Sequence, residues 1–338
     1  MTDAASDVWS VWICEALLQG RTRDAIATIL QAQGMAHADA LARIDQLQRS
    51  PGMVAARHSE HHVATRFMSL HRQQLGVHSG QVARRDSLTE AEWRDVWAAH
   101  GVPLVVTGFA DDWPARAWTW ANLRSTHGGA RVRACIGRST WADPDARFEQ
   151  LVQEVSLAEL LDAIEGGSGD DAYLVSRGQA LERGLASLKQ DLAPPSWLVA
   201  DAPHGRNHAL WVGGAGTRTR LHHDASHILF VQLLGRKHWW LAPPILPELS
   251  QQASGYYAGE DLDDPETRNR LALPGLRETV LEPGDALWIP AGWWHQVRSL
   301  EPSVSAGFVG LTIPNRFSQL ELRTTDVRPS PPRTRTPR

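Results

Sequence analysis

From residue 208 onward the chain is a succession of short apolar segments cut by Gly, Pro and Asp, and nothing else in the sequence restricts the fold as tightly. The segments "HALWVGG", "TRTRLHHD", "HILFVQLLG", "RKHWWLAPP", "ETVLEP", "DALWIPAGWWHQVRSL" and "SVSAGFVGLTI" are rich in β-branched and aromatic residues and bounded by turn residues. Closely spaced strands with no helical runs between their turns predict a β-sandwich or barrel. The insert "QQASGYYAGEDLDDPETRNRLALPG", residues 251–275, is expected as a long loop over one mouth.

Upstream the pattern is helical. Within residues 1–52, "ASDVWSVWICEALLQG" repeats its apolar positions near every 3.6 residues and stops at Gly20. A second helix is expected from Thr22 to Ala32, and a third through "HADALARIDQLQRS" to the stop at Pro51-Gly52. Residues 53–84 read as a polar helical linker carrying His58, His61, His62 and His71. His58 and His62 are spaced for one helix face, but no carboxylate or cysteine stands at matching spacing, which favours a solvated face over a metal site. "SLTEAEWRDVWAAH" predicts a helix capped by Ser87 and Glu90, and a second capped helix is expected from Ser156 to Ile164. "VPLVVTGFADDWPA" and "AYLVSR" predict short strands. The main domain is assigned to residues 85–323, and the Pro- and Arg-rich residues 324–338 to a disordered tail.

Composition removes several classes of function. A net charge of −4 over 338 residues, with no basic stripe interleaved with aromatics outside the tail, argues against nucleic acid as a partner. No stretch approaches the length of a membrane-crossing helix, and the first residues lack the basic and apolar regions of a signal peptide. The cysteines, Cys14 and Cys135, form neither a disulfide framework nor a zinc motif. These features lead to the expectation of a soluble, cytoplasmic protein.

The chemistry concentrates in "TRLHHDASH". Alternation along a strand would point His222 and Asp224 to one side and His223 to the other. A third donor, His295, follows a Pro-Gly-Asp turn and an apolar strand, 71 residues beyond Asp224. Two histidines and one carboxylate on one face leave open positions on an octahedral iron. Each has a plain alternative, since a strand histidine can simply bond a carbonyl. Lys237 opens the next apolar strand 13 residues after Asp224. A lysine inside a barrel needs an anion. The alternative is a turn lysine in water, with Arg236 as the inward cation.

Taken together, "GTRTRLHHDASHILFVQLLGRKHWWLAPP" and "LEPGDALWIPAGWWHQVRSL" resemble the Jumonji C (cupin-like) family of iron(II)- and 2-oxoglutarate-dependent oxygenases, and most closely the hydroxylase branch that includes the factor-inhibiting-HIF asparaginyl hydroxylase. The resemblance covers roughly residues 85–315 and rests on the pattern T-x-x-H-x-D, the lysine, and PGD-x-x-x-IP-x-x-W-x-H. It implies a mainly β fold with flanking helices, in which a double-stranded β-helix (jelly-roll) core follows an N-terminal helical segment. It implies iron(II) held by His222, Asp224 and His295, with 2-oxoglutarate anchored by Lys237, Thr219 and Tyr173 and oxygen as the further co-substrate. Two positions depart from the family pattern. Ile228 stands where many relatives carry asparagine, and Gly307 where serine or asparagine is usual.

The expected function is hydroxylation of a protein or peptide side chain, with succinate and CO2 as co-products. The alternatives are a small-molecule hydroxylase of the same chemistry and a non-enzymatic metal-binding cupin acting as sensor or structural protein. Lysine demethylation ranks lower, because no zinc-binding or reader module accompanies the motifs. The N-terminal helices are compatible with a homodimer interface or with plain core packing of Trp9 and Trp12.

Overall fold

The apolar segments after residue 208 form strands, and those over Ile228–Leu234, Ala286–Ile289 and Ser303–Phe308 are buried along nearly their whole length. The computed structural model describes residues 3–18, 21–56, 80–141, 144–166, 169–200, 208–250, 256–315 and 317. The histidines 58, 61, 62 and 71 and the tail 324–338 lie outside the described residues. The chain divides into two units, one of residues 1–71 with 322–338, the other of residues 72–321.

In the first unit, helices Asp3–Leu18, Arg23–Ala32 and His37–Gln48 bury Ile13, Leu17, Ile26, Leu30 and Ile44 together. Thr22 caps the second helix by accepting the Ala25 N–H at 3.3 Å. The third helix stops at Gln48, short of Pro51 as expected, and a separate helical turn follows. Residues 51–56 form a new helical turn, with the Ser50 hydroxyl accepting the Met53 N–H at 3.3 Å. A proline at a first helical position loses no hydrogen bond, so Pro51 starts a helix here.

Among its described residues the second unit contains fourteen strands in two sheets. In chain order they are β1 (Gly80–Gln81), β2 (Ala83–Arg85), β3 (Leu104–Val106), β4 (Arg131–Ile136), β5 (Val152–Ser156), β6 (Ala172–Leu174) and β7 (His208–Gly213). There follow β8 (Arg218–His222), β9 (Ile228–Leu234), β10 (Lys237–Ala242), β11 (Arg277–Leu281), β12 (Ala286–Ile289), β13 (Trp294–Ser299) and β14 (Ser303–Phe308). One sheet runs β1-β11-β10-β13-β8 and the other β2-β3-β12-β9-β14-β7-β6-β4-β5. The last eight strands therefore distribute four to each sheet, all antiparallel to one another, which is the double-stranded β-helix of a jelly roll. The segment "DALWIPAGWWHQVRSL" supplies two of these strands, because Pro290 and Gly292 turn the chain between β12 and β13.

Strand β9 shows why its sequence is a nearly unbroken apolar run. Ile228 and Phe230 face the space between the sheets with Trp239, Leu287 and Val297. Leu229, Val231 and Leu233 face the larger core on the outer side, where Leu160, Leu161, Trp288 and Phe308 pack. At the Pro283-Gly284-Asp285 turn, Gly284 adopts a φ of 103°, which a residue with a Cβ rarely takes. The Asp285 carboxylate accepts from Arg84 at 3.0 Å and from the Gly108 N–H at 3.3 Å, pinning this turn to the entry strands.

Three local expectations change. Residues 80–85, expected in a helical linker, are strands β1 and β2, each paired in parallel with its neighbour. The helix after Ser87 begins at Glu90, and its cap is Thr89, whose hydroxyl accepts the Glu92 N–H at 3.2 Å. That helix widens into a π-helical stretch over Trp93–Ala98, burying both Trp93 and Trp97. The 251–275 insert is not all loop, since Asp264 caps a helix over Pro265–Leu271. The capped helix after Ser156 is present as expected, over Leu157–Glu165, and its cap is a box of Ser156 and Glu159. No helix among the described residues is long and apolar enough to cross a membrane.

Candidate metal centre

Strands β8 and β13 pair antiparallel with His222 directly opposite His295. A bulge after His295 shifts the register toward Val297. This cross-strand pairing sets the imidazoles at 4.1 Å between ring centroids. Strand β8 ends at His222, so Asp224 reaches the site from the loop beyond and not through strand alternation. His295 Nε2 lies 3.6 Å from Asp224 Oδ2. One donor atom from each of His222, Asp224 and His295 lies within 4.8 Å of the others, a spacing from which all three can reach one ion.

The tautomers suit that use. His222 Nδ1 lies 2.7 Å from the Arg220 carbonyl, and His295 Nδ1 lies 2.9 Å from the Trp293 carbonyl. A carbonyl only accepts, so each Nδ1 carries a proton, and it is Nε2 that offers the lone pair of the neutral ring to an ion. Burial, and next the neighbouring His222, push His295 down to about 4, which keeps its imidazole neutral near pH 7. His223 points away from the donors, packing edge-on against Trp294 at 4.7 Å and Tyr256 at 5.5 Å.

The cluster opens into a cavity of about 620 Å³ that is also lined by Lys237, Thr219 and Tyr173. This size suits a small-molecule site. Lys237 shares its strand face with Trp239 and Leu241, the inner face of β10, and is 1% exposed. Its ammonium has no carboxylate partner among the described residues, and burial alone pulls it down to about 7. Arg236 instead pairs with Glu301 at 2.6 Å on the outside. The Tyr173 hydroxyl sits 3.3 Å from Thr219 Oγ1, and burial raises its pKa above the ordinary phenol range. The Tyr173 ring lies between Lys237 Nζ at 6.0 Å and the Arg138 guanidinium at 5.2 Å. A buried cation beside two hydroxyls and a cluster of metal-type donors is a donor set for an anionic chelator.

The two departures from the family pattern meet at one side chain. A Cβ on Gly307 would lie 2.5 Å from Trp211 Cζ3 and 3.4 Å from Ile228 Cδ1. Glycine is therefore what lets the Trp211 indole cross the inner wall, where it also packs on Phe230 at 4.5 Å. The wall beside the metal donors is apolar where a polar side chain was the usual expectation.

Sequence reasoning missed the group that holds β8. Arg138, 1% exposed, donates to Asp145 at 3.0 Å, to Asp170 at 3.1 Å and to the Arg218 carbonyl at 2.8 Å. Asp145 accepts the Arg220 N–H at 2.9 Å and Asp170 the Arg218 N–H at 3.1 Å. Burial pulls the Arg138 pKa down, but the two carboxylates outweigh it and leave it above its ordinary value. The residues flanking Thr219 are thus fastened by a buried ion cluster. Its members are scattered from 138 to 220, so no spacing advertises them. Tyr257 was also missed, and it lies against His222 with centroids 5.6 Å apart.

A family profile described as a cupin-like domain matches residues 89–308. The lysine-specific demethylase JMJ30 of Arabidopsis thaliana is 28% identical over 242 residues, covering 68% of this chain and 54% of the relative. Jumonji C domain-containing protein 5 of Drosophila melanogaster is 30% identical over 220 residues, covering 62% and 54%. HSPB1-associated protein 1 of Mus musculus is 27% identical over 222 residues, covering 59% and 46%. The chain spans about half the length of these curated relatives. The profile match over more than half of the chain, the eight-stranded jelly roll and relatives named for the Jumonji C domain lead to one assignment: the chain belongs to the cupin-like domain family.

Proposed function

We propose that the protein is an iron(II)- and 2-oxoglutarate-dependent oxygenase that hydroxylates a protein or peptide side chain. The observation that carries this reading is Lys237, a buried amine without a carboxylate partner among the described residues, in one cavity with the His222, Asp224 and His295 donors. The three donors would hold iron(II), and their neutral imidazoles and single carboxylate leave it a net positive charge. When bound, iron(II) supplies the redox chemistry by which oxygen converts 2-oxoglutarate to succinate and CO2 while its second oxygen atom enters a substrate C–H bond. Lys237 would pair with the distal carboxylate of 2-oxoglutarate, with the Thr219 and Tyr173 hydroxyls donating to the same group. Trp211, Phe230 and Ile228 give the inner side of that pocket an apolar wall.

The lysine-specific demethylases among the relatives support a second reading, oxidation of an N-methyl group, which would release formaldehyde. Both readings share the site and the co-substrate.

The test is anaerobic absorbance on adding iron(II) and then 2-oxoglutarate, followed by oxygen and candidate peptides. A charge-transfer band in the parent, absent in His222→Ala and weakened in Lys237→Ala, is the expected result. A peptide mass gain of one oxygen atom supports hydroxylation, whereas formaldehyde release supports demethylation. Iron binding with no band in the parent sinks the oxygenase reading in favour of a metal-binding cupin.

A further inference from the structure

His227 stands three residues past Asp224, is not among the residues lining the cavity and has no part in the proposed chemistry, yet its side chain is committed. Its Nδ1 accepts the Ala291 N–H at 2.9 Å. The same turn donates a second hydrogen bond to the ligand loop, from the Gly292 N–H to the Asp224 carbonyl at 2.9 Å. The loop that delivers Asp224 and the turn that precedes His295 are thus joined by two hydrogen bonds. From that turn the chain runs to Trp293, whose carbonyl receives the His295 Nδ1–H at 2.9 Å.

His227 is itself held on all sides. Its N–H donates to Asn315 Oδ1 at 2.6 Å, and Asn315 Nδ2 returns a bond to its carbonyl at 2.9 Å. Its ring lies against Trp288, centroids 4.9 Å apart, and edge-on to Phe317 at 4.8 Å. Backbone and ring are fixed, so the Nδ1 lone pair is aimed. Burial depresses its pKa to about 4, consistent with a neutral acceptor. A structural histidine would need only the ring contacts. The bond to a backbone N–H of the other ligand-bearing loop is the additional feature.

We propose that His227 is a positioning residue for the metal centre, setting the separation of Asp224 and His295 through its Nδ1 bond to the Ala291 N–H. The inference rests on the metal-holding part of the function proposed above, and does not depend on 2-oxoglutarate.

The test is cobalt(II) titration of the full chain, read by visible absorbance and by affinity, in the parent and three variants. His227→Phe keeps a ring between Trp288 and Phe317 but removes the acceptor. His227→Asn puts an amide oxygen near the Nδ1 position, and His227→Gln carries it one methylene too far. Groups that orient metal ligands commonly change affinity by about 10- to 100-fold when removed. The expected result is a loss of roughly tenfold or more in His227→Phe and His227→Gln with an altered spectrum, and near-parent affinity in His227→Asn. Should His227→Phe not fold, the Asn and Gln pair decides the matter alone. Equal affinity in Asn and Gln, or unchanged affinity in a folded His227→Phe, overturns the role of His227. Failure of the parent to bind cobalt(II) overturns the metal-holding reading, and this inference with it.

Discussion

Lys237 carries an unusual electrostatic load for a single residue. It sits inside the barrel with burial as the only influence on its pKa, which falls from an ordinary 10.5 to about 7. Between those values the folded chain binds fewer protons than the unfolded one, so the ligand-free protein gains stability as pH rises from about 7 toward 10. An incoming carboxylate favours the charged form and works the other way. 2-Oxoglutarate should therefore bind best below about pH 7, and its Kd should weaken toward tenfold per pH unit above that. Calorimetric titration across pH 6 to 9 reads this slope. In Lys237→Met the slope from this residue should vanish and affinity at low pH should fall; an unchanged slope would show that another group carries the charge.

Among the elements, β14 and β7 show how one strand's side chain is licensed by the next strand's lack of one. Trp211 on β7 occupies the space where a Cβ on Gly307 of β14 would lie 2.5 Å from its ring. Gly307→Ser should drive the indole toward the cavity it lines and shrink the co-substrate pocket. The expected outcome is 2-oxoglutarate affinity reduced about tenfold or more with metal affinity preserved, since neither residue is one of the three donors and overpacking strain of about 1–3 kcal/mol is absorbed locally. Parallel metal and co-substrate titrations separate the two. The double variant Trp211→Phe with Gly307→Ser should recover part of the loss, because the smaller ring vacates the contact. The pairing of β8 with β13 matters in a different way. It makes His222 and His295 cross-strand neighbours, so the spacing of the two imidazoles belongs to the sheet and not to either loop.

For the whole molecule, the site joins elements distant in sequence. β6, β8, β10 and β13 all contribute, and the Arg138 cluster ties β8 to the loop carrying Asp145. An ion that binds the folded chain and not the unfolded one stabilises it by mass action. Saturating iron(II) at about 100 times Kd should add roughly 2.7 kcal/mol, seen as a rise in Tm under anaerobic conditions. His222→Ala and Asp224→Ala should lose most of that rise. A parent whose Tm ignores iron(II) at that concentration would contradict the assigned donors.

The alternation of apolar residues with Gly, Pro and Asp determined that residues after 208 would be strands, because period and turn chemistry are local properties. The motif residues were legible for a similar reason. His222 and Asp224 stand two residues apart, Lys237 opens a strand whose inner face is marked by Trp239 and Leu241, and His295 comes one strand after the Gly284 turn. What the sequence left open was whatever depends on residues far apart. Thr89 caps the helix in place of Ser87 while residues 83–85 pair with β3, and helical structure resumes at Pro51 after the third helix has stopped at Gln48. Asp224 lies past the end of its strand, so its approach to His295 comes from the Gly292 and His227 contacts and not from strand alternation. The register of β8 on β13, the Arg138 cluster and the seat of Trp211 on Gly307 exist only once two sheets have closed on one another. Strand identity follows from side chains within a few residues, whereas a site is made by the register between strands, and that is set by packing over the whole barrel.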